Sequence, residues 1–440
     1  MPTILLKSKE IPIKYETEVL VIGSGMTGVC AAIAASELGK DVILLESSGK
    51  LGGNFTRSLI GTINGYTVHD NGNYNLLIKG IGEKILNRMR EAGGIGEDIT
   101  LTKLQIIPYD ISILERVLDL LVLENNIKTL FHQYACDVVV ENQRIKNIII
   151  TSKFGTYSIS SKVFVDATGD GDIANLAGVS SLTDGTGIQF PSTSFLMGGV
   201  DIKEAKKLTK PQLGEYMKKA VEEGAYDLPR IDGTLAILPN GIVRANMGRL
   251  KIDGRPVNPL DPEEETYGEM EGRRQAFLYL DFLRNYIPGY ENAFICNIPE
   301  HFGVRETRRI KGRYILTEED FIKASKFFDG VALCAHPIEQ HGQGKTTKWA
   351  YLPDGEYVEI PFRCLIPENI NNLLFGGRCI SAEATAQAAV RAGASCMSMG
   401  EAIGVAAAMA IECSCDVGKI DTKALRKVLI NRGVGLSDIK

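Results

Sequence analysis

The chain alternates short, wholly apolar runs with longer stretches in which apolar residues recur every three or four positions. Glu18–Ile22 is an apolar run ending directly on glycine, as strands buried on both faces do. Val29–Leu38 follows with Ala-rich helical spacing, and Val42–Leu45 is a second buried run. Together they predict a βαβ unit, the opening of a doubly wound parallel sheet. Ile81–Ala92 and Ser112–Asn125 have the spacing of amphipathic helices. Val138–Val140, Ile145–Thr151 and Thr156–Ser160 predict a small antiparallel meander within residues 136–161. Val163–Asp166 predicts a further buried strand, closed by Ala167-Thr168-Gly169-Asp170-Gly171-Asp172.

The pattern changes near Gly185. Two charged helical segments, Lys203–Glu223 and Glu263–Tyr286, are interleaved with strand-like pieces at Thr193–Val200, Gly241–Arg249 and Val331–Ala335. They predict an inserted α+β substrate or cap domain over residues 186–358. The first pattern then returns. Asn372–Phe375 predicts a buried strand, Gly376-Gly377-Arg378 closes it, and an Ala-rich helix is expected from near Ser398. Residues 1–185 and 359–440 are therefore expected to build one α/β, doubly wound, Rossmann-like domain around the insertion.

Composition narrows the setting. The chain has 440 residues, 44% hydrophobic and 23% charged, enough to bury a sizeable core. A net charge of -5, with scattered Lys and Arg, gives no electrostatic reason to expect nucleic acid or an anionic membrane. Met1–Lys14 has neither a basic start nor a sustained apolar run, so no signal peptide is expected. The strongest apolar stretches, Val19–Ile22 and Gly404–Ile411, fall short of the ~20 residues of a membrane span. Nine cysteines without a CxxC pair fit a reducing, cytoplasmic setting, as core or incidental residues. Cys413 and Cys415 alone lie close together.

Gly23-Ser24-Gly25-Met26-Thr27-Gly28 is a GxGxxG between a strand and a helix. The first glycine permits the tight turn, the second admits a pyrophosphate, and the third lets helix and strand approach. Glu46 ends the second strand, where a carboxylate accepts hydrogen bonds from a ribose diol. That acid argues against NADP but does not separate NAD from FAD. Gly52-Gly53 adds a second glycine contact of the kind a flavin pyrophosphate takes.

Val163–Val179 (VFVDATGDGDIANLAGV) and Leu373–Ile411 resemble the FAD-dependent oxidoreductase family. Gly303–Arg309 (GVRETRR), Leu316–Asp320 and His336–His341 (HPIEQH) are similar to it in the same order. The family belongs to the glutathione-reductase-like superfamily, in the branch of the fumarate reductase flavoproteins. The resemblance implies FAD as cofactor, with Thr168, Gly169, Asp170, Gly377, Arg378 and Gly400 beside it. A helix starting near Met399-Gly400-Glu401 would aim its N–H groups at the flavin pyrimidine. Asp170 either caps a helix or orders its turn, with Asp172 in solvent. Gly52–Ser58 contains no histidine, so the FAD is expected to be non-covalent.

For the chemistry, His336 and His341 share a Gly/Pro-rich loop, HPIEQHGQG, with Glu339 between them to orient an imidazole. Arg305, with Arg308 and Arg309, offers a cation for a substrate carboxylate or for an inter-domain salt bridge. Arg378 and Arg391 contact cofactor or substrate, or are structural. His69, His132 and His301 have no comparable setting. No second GxGxxG, CxxxxC pair or metal-ligand cluster is found, so an NAD(P)H domain, disulfide reduction and a metal are not expected. The reading is a dehydrogenase or reductase moving hydride between a small organic substrate and flavin N5, with a separate electron acceptor or donor. An FAD oxidase or monooxygenase is the alternative, and a non-catalytic nucleotide-binding protein the remote one.

Overall fold

A computed structural model describes residues 10–182, 188–342 and 347–437. The start of Met1–Lys14, the boundary near Gly185 and the Gln343-Gly344 end of the histidine loop lie outside the described residues. β1 (Ile13–Ile22), α1 (Met26–Glu37) and β2 (Val42–Leu45) form the βαβ unit. Helices Ile81–Glu91 and Ile111–Glu124 follow, then β3 (Lys128–Leu130), β4 (Tyr134–Glu141), β5 (Arg144–Ser152) and β6 (Gly155–Asp166). Strand order across the sheet is β3-β2-β1-β6-β5-β4. β1 pairs in parallel with β2 and β6, whereas β5 runs antiparallel to both β6 and β4.

The last meander strand and the strand expected at Val163–Asp166 are one 12-residue strand. Ser160-Ser161-Lys162 is polar but holds no Gly or Pro to turn the chain. Ser161 stays in the ladder opposite Thr17 and donates its hydroxyl to the Glu18 carbonyl at 3.0 Å. β6 thus carries the meander at one end and the nucleotide-side loop at the other.

The stretch 194–297 contains β7 (Ser194–Gly198), α2 (Lys210–Glu222), β8 (Thr234–Ile237), β9 (Val243–Asn246), α3 (Pro262–Tyr286) and β10 (Phe294–Asn297). Its antiparallel sheet has the order β8-β9-β7-β10. The helix expected over Lys203–Glu223 is broken. Thr209 caps α2 in a capping box with Gln212, and Pro211 is tolerated only in that first turn. Strand alternation sends Phe195, Met197, Val243 and Ala245 into a core with Leu213, Met217, Tyr279 and Phe282. Asn246, paired with Ser194 and Thr234, occupies the opposite face with Arg244, which pairs with Leu196 and Ala236.

The chain returns through β11 (Gly330–Cys334) and β12 (Val358–Pro361), an antiparallel pair. Val331, Leu333, Val358 and Ile360 belong to the main core, so the strand at Val331–Ala335 packs there rather than in the core of the insertion. β13 (Leu373–Phe375) extends the parallel sheet on β6. α4 (Gly393–Glu412) then lies against α1, beginning five residues before the expected Ser398. By length and composition α4 could cross a membrane, but 83% of its most apolar window is buried in this fold. Just beyond it a disulfide joins Cys413 to Cys415, so these two are not incidental thiols.

Candidate active site

A cavity of about 1800 Å³ runs from the first glycine loop to the polar face of the cap sheet. Drug-sized ligands occupy roughly 300–1,000 Å³, so the space admits a dinucleotide and a second molecule together. Gly23, Ser24, Gly25, Met26, Thr27, Glu46, Gly52, Gly53, Thr168, Gly169, Asp170, Gly377 and Arg378 all line it. Gly23 has a φ of 93°, and a Cβ there would collide with the Ala167 carbonyl. Gly25 sits at the N-cap of α1 without a side-chain cap, and a Cβ there would meet only open space. The first turn of α1 therefore directs unpartnered N–H groups into the groove, as a pyrophosphate site requires. Gly28 is outside the lining. A Cβ on it would strike the Gly23 carbonyl, so its part is to let α1 close on the loop.

Glu46, 5% exposed, accepts from Ser24 N at 2.9 Å, Ser24 Oγ at 2.7 Å and Ser48 N at 2.7 Å. Burial alone would raise this carboxyl, but the hydrogen bonds from Ser24 and Ser48 outweigh it and hold the group ionised. Asp166, unmarked in the sequence reading, organises the next strand end, although burial raises its carboxyl despite the bonds it accepts. It accepts from Thr168 Oγ1 at 2.7 Å, Thr168 N at 3.1 Å and Ala174 N at 2.9 Å, which fixes the Thr168-Gly169 turn. These fixed donors, open glycines and ribose-height acid fit FAD.

Two cofactor-side expectations change. Gly400 lies two turns inside α4, and a Cβ there would strike the Thr27 carbonyl of α1. Gly404 meets the Ala31 carbonyl in the same way, so both glycines serve close helix packing rather than flavin contact. The end of α4 that reaches the cavity is Ala392–Gly393 with Cys396. Asp170 does not cap the short helix Asp172–Leu176, whose N-cap is Gly171. It pairs with Arg378 at 2.8 Å and accepts from Thr307 Oγ1 at 2.6 Å. Asp172 pairs with Arg308 at 2.9 Å, and its carboxyl is pushed up to about 6 by burial and by Asp170.

Past Arg378 the cavity opens onto His336, Glu339, His341, Arg305 and Arg391. The expected loop contains a short hairpin, Ile338–Gln340 paired with Lys348–Ala350, which turns Glu339 between the two imidazoles. His336 Nδ1 lies 2.7 Å from the Pro337 carbonyl. A carbonyl only accepts, so Nδ1 carries the proton and Nε2 holds the lone pair. That Nε2 is buried with no hydrogen-bond partner, and Glu339 Oε2 is 3.8 Å away. His341 is bonded on both sides, to Glu339 Oε1 at 3.1 Å and Thr347 Oγ1 at 3.2 Å. Burial lowers both histidines, His341 further through Arg305, against the opposing pull of Glu339. Burial would raise Glu339, but His341, His336 and Arg391 hold it well below the usual carboxylate range.

Arg305 Nη1 donates to the Phe190 carbonyl at 2.7 Å, while Arg309 pairs with Glu306 at 2.9 Å. Gln387 Nε2 donates to the Arg305 and Arg378 carbonyls at 3.1 and 3.0 Å, tying the two arginine-bearing segments together. His69 pairs with Asp354 away from the cavity, whereas His301 lies in the cavity wall, bonded to Glu265 at 3.1 Å. Arg230, Arg244, Asn246, Thr347 and Trp349 also line the chamber. They come from scattered segments without a local motif. The alternation Val243-Arg244-Ala245-Asn246-Met247 was the one signal, and it marks a half-buried strand without saying what its polar face meets.

This fold and groove define an FAD-binding, Rossmann-like flavoenzyme. A profile of the FAD dependent oxidoreductase family matches residues 18–429. The chain belongs to that family, and it is an FAD-dependent enzyme. Digoxin reductase of Eggerthella lenta is 46% identical over 50 residues, a stretch covering 11% of this chain and 9% of that relative's length. A geranylgeranyl bacteriochlorophyll reductase-like protein from Thermoplasma acidophilum superposes with a TM-score of 0.50 at 12% identity, covering 96% of this chain and 92% of its own. A p-nitrophenol 4-monooxygenase from Pseudomonas putida gives a TM-score of 0.50 at 11% identity, covering 95% and 85%. At these identities the likeness is one of fold.

Proposed function

We propose that the enzyme is a dehydrogenase or reductase that moves hydride between a small organic substrate and flavin N5. The observation that carries this reading is His336 Nε2, a buried, unpartnered lone pair on a residue of the cavity wall beside the flavin groove. FAD, held without a covalent bond along Gly23–Thr27, Glu46, Gly52-Gly53, Thr168-Gly169 and Gly377-Arg378, supplies the two-electron acceptor or donor. Asp170 contributes by holding Arg378.

In the oxidising direction His336 takes the proton that the substrate releases as its hydride leaves. In the reducing direction the imidazolium returns it. Glu339 stays ionised and stabilises the cation, and His341, saturated on both ring nitrogens, positions Glu339. Arg305 neutralises negative charge on the substrate. The companion electron carrier is a separate molecule, since the sequence holds a single GxGxxG.

The test is an anaerobic screen of organic compounds for bleaching of the enzyme-bound flavin, repeated with His336→Gln. A substrate should reduce the flavin of the natural enzyme and fail to do so at a comparable rate in the variant. A reduced enzyme that instead gives stoichiometric peroxide or a hydroxylated product on mixing with air would replace this reading with an oxygen-using one.

A further inference from the structure

We infer that the substrate is an organic carboxylate, and that Arg244 on the cap sheet is the residue that receives its carboxylate group. The inference rests on the oxidoreductase reading for the site but on different residues for its support.

Arg244 is 5% exposed and lies in the cavity wall. Its side chain runs across Gly61, where a Cβ would come within 3.3 Å of its Cγ. Its Nη1 donates to Thr234 Oγ1 at 3.3 Å, and its Nε is buried without a partner. No carboxylate among the described residues pairs with it. A buried guanidinium left in this state is costly, and the usual remedy is a bound counter-ion. Burial pushes the group down only to about 10, so it remains a cation at neutral pH.

The surroundings repeat the imbalance. Arg230, Arg244, Arg305 and Arg391 line the chamber, and Arg391 Nε is also buried without a partner. The acids facing them are Asp232 and Glu339. Asp232 is taken by Arg230 at 2.5 Å and by Thr347 N at 2.6 Å, and Glu339 by His341. Lys210 adds a fifth cation to this wall, and Glu306, the other acid acting on Arg391, is taken by Arg309, so the chamber is positive when the histidines are neutral. With Nη1 occupied by Thr234, the Nε edge of Arg244 is the part left to meet a ligand. That edge of a planar guanidinium matches the two oxygens of a carboxylate. Asn246 lies on the same sheet face, and its buried, unpartnered Oδ1 is an acceptor that takes a donor group of a ligand rather than the carboxylate.

The experiment titrates oxidised holoenzyme at constant ionic strength, reading the flavin difference spectrum. The probes are succinate, benzoate, succinamide, benzamide and inorganic phosphate. At least one carboxylate should saturate the signal while its amide does not. Arg244→Gln should raise that dissociation constant about 30-fold, and Arg244→Lys should recover part of it. Unchanged FAD content and circular dichroism show that the variants are folded. Equal binding of acid and amide, no response to any carboxylate, or an unchanged constant in Arg244→Gln overturns the inference. Phosphate binding in place of the carboxylates overturns the assignment to a carboxylate. These readouts need no turnover. If no compound reduces the flavin while Arg244→Gln still weakens carboxylate binding, it is the oxidoreductase reading that fails.

Discussion

The two halves of the cavity are built on opposite principles. The flavin groove is made largely of backbone and glycine, and its acids are paired within the protein, Glu46 with Ser24 and Ser48, Asp166 with Thr168 and Asp170 with Arg378. The substrate chamber is made of long charged side chains from segments far apart, and several of their buried atoms have no partner. A cofactor that never leaves can be met by a finished, preorganised surface. A substrate that arrives and departs must be met by groups whose hydrogen bonds are left open for it. On the proposed function, the satisfied side seats the cofactor and the open side the substrate.

The sharpest way to break the comparison is to fill the groove. Gly28→Val places a branched side chain against the Gly23 carbonyl, and the expected outcome is protein without flavin, read from the ratio of visible to ultraviolet absorbance. Next in size, His336→Gln should lower kcat about 100- to 1,000-fold with FAD content and Tm unchanged, since it removes a proton acceptor and no fold contact of comparable weight. Glu46→Gln should weaken FAD binding about 10- to 30-fold. The neutral amide loses a charge-assisted pair of bonds to Ser24 and Ser48 while keeping the shape.

The lowered histidines make a pH test of intermediate size. Because burial holds His336 below its ordinary value, kcat for substrate oxidation should stay level down to about pH 6.5 and fall only below it. Stability follows the same sign. The unfolded chain binds protons on these histidines before the folded one does, so their contribution is complete above about pH 6.5 and is lost as pH falls further. Urea melts at pH 7 and pH 5 should separate, and should separate less in a His336→Asn, His341→Asn double variant. The smallest effect belongs to Asp172→Asn. Its partly exposed pair with Arg308 is worth about 0–1 kcal/mol, so thermal melts should barely move.

Much of the fold was legible because local patterns and tertiary demands agreed. The apolar runs at Val19–Ile22 and Val42–Leu45 are strands in any context that buries them, and GxGxxG leaves the backbone few other choices. Legibility failed where distant contacts decided. Ser160–Lys162 looked like a break between strands, yet β1 supplied a ladder that kept them extended. The helix expected from near Ser398 begins at Gly393, where the Phe55 ring lies in the place any side chain would take. Gly400 looked like a cofactor glycine because its contact, the Thr27 carbonyl, is more than 300 residues away in the chain.

The sequence by itself determined the nucleotide groove and its βαβ frame, because these rest on residues within one turn or one strand end, while FAD was implied by the family resemblance of Val163–Val179 and Leu373–Ile411. The tertiary structure alone decided what the polar face of the cap sheet meets. Alternation puts Arg244 and Asn246 on one side of β9, but only the closing of the cap over the flavin domain turns that side from solvent toward a buried, positively charged chamber.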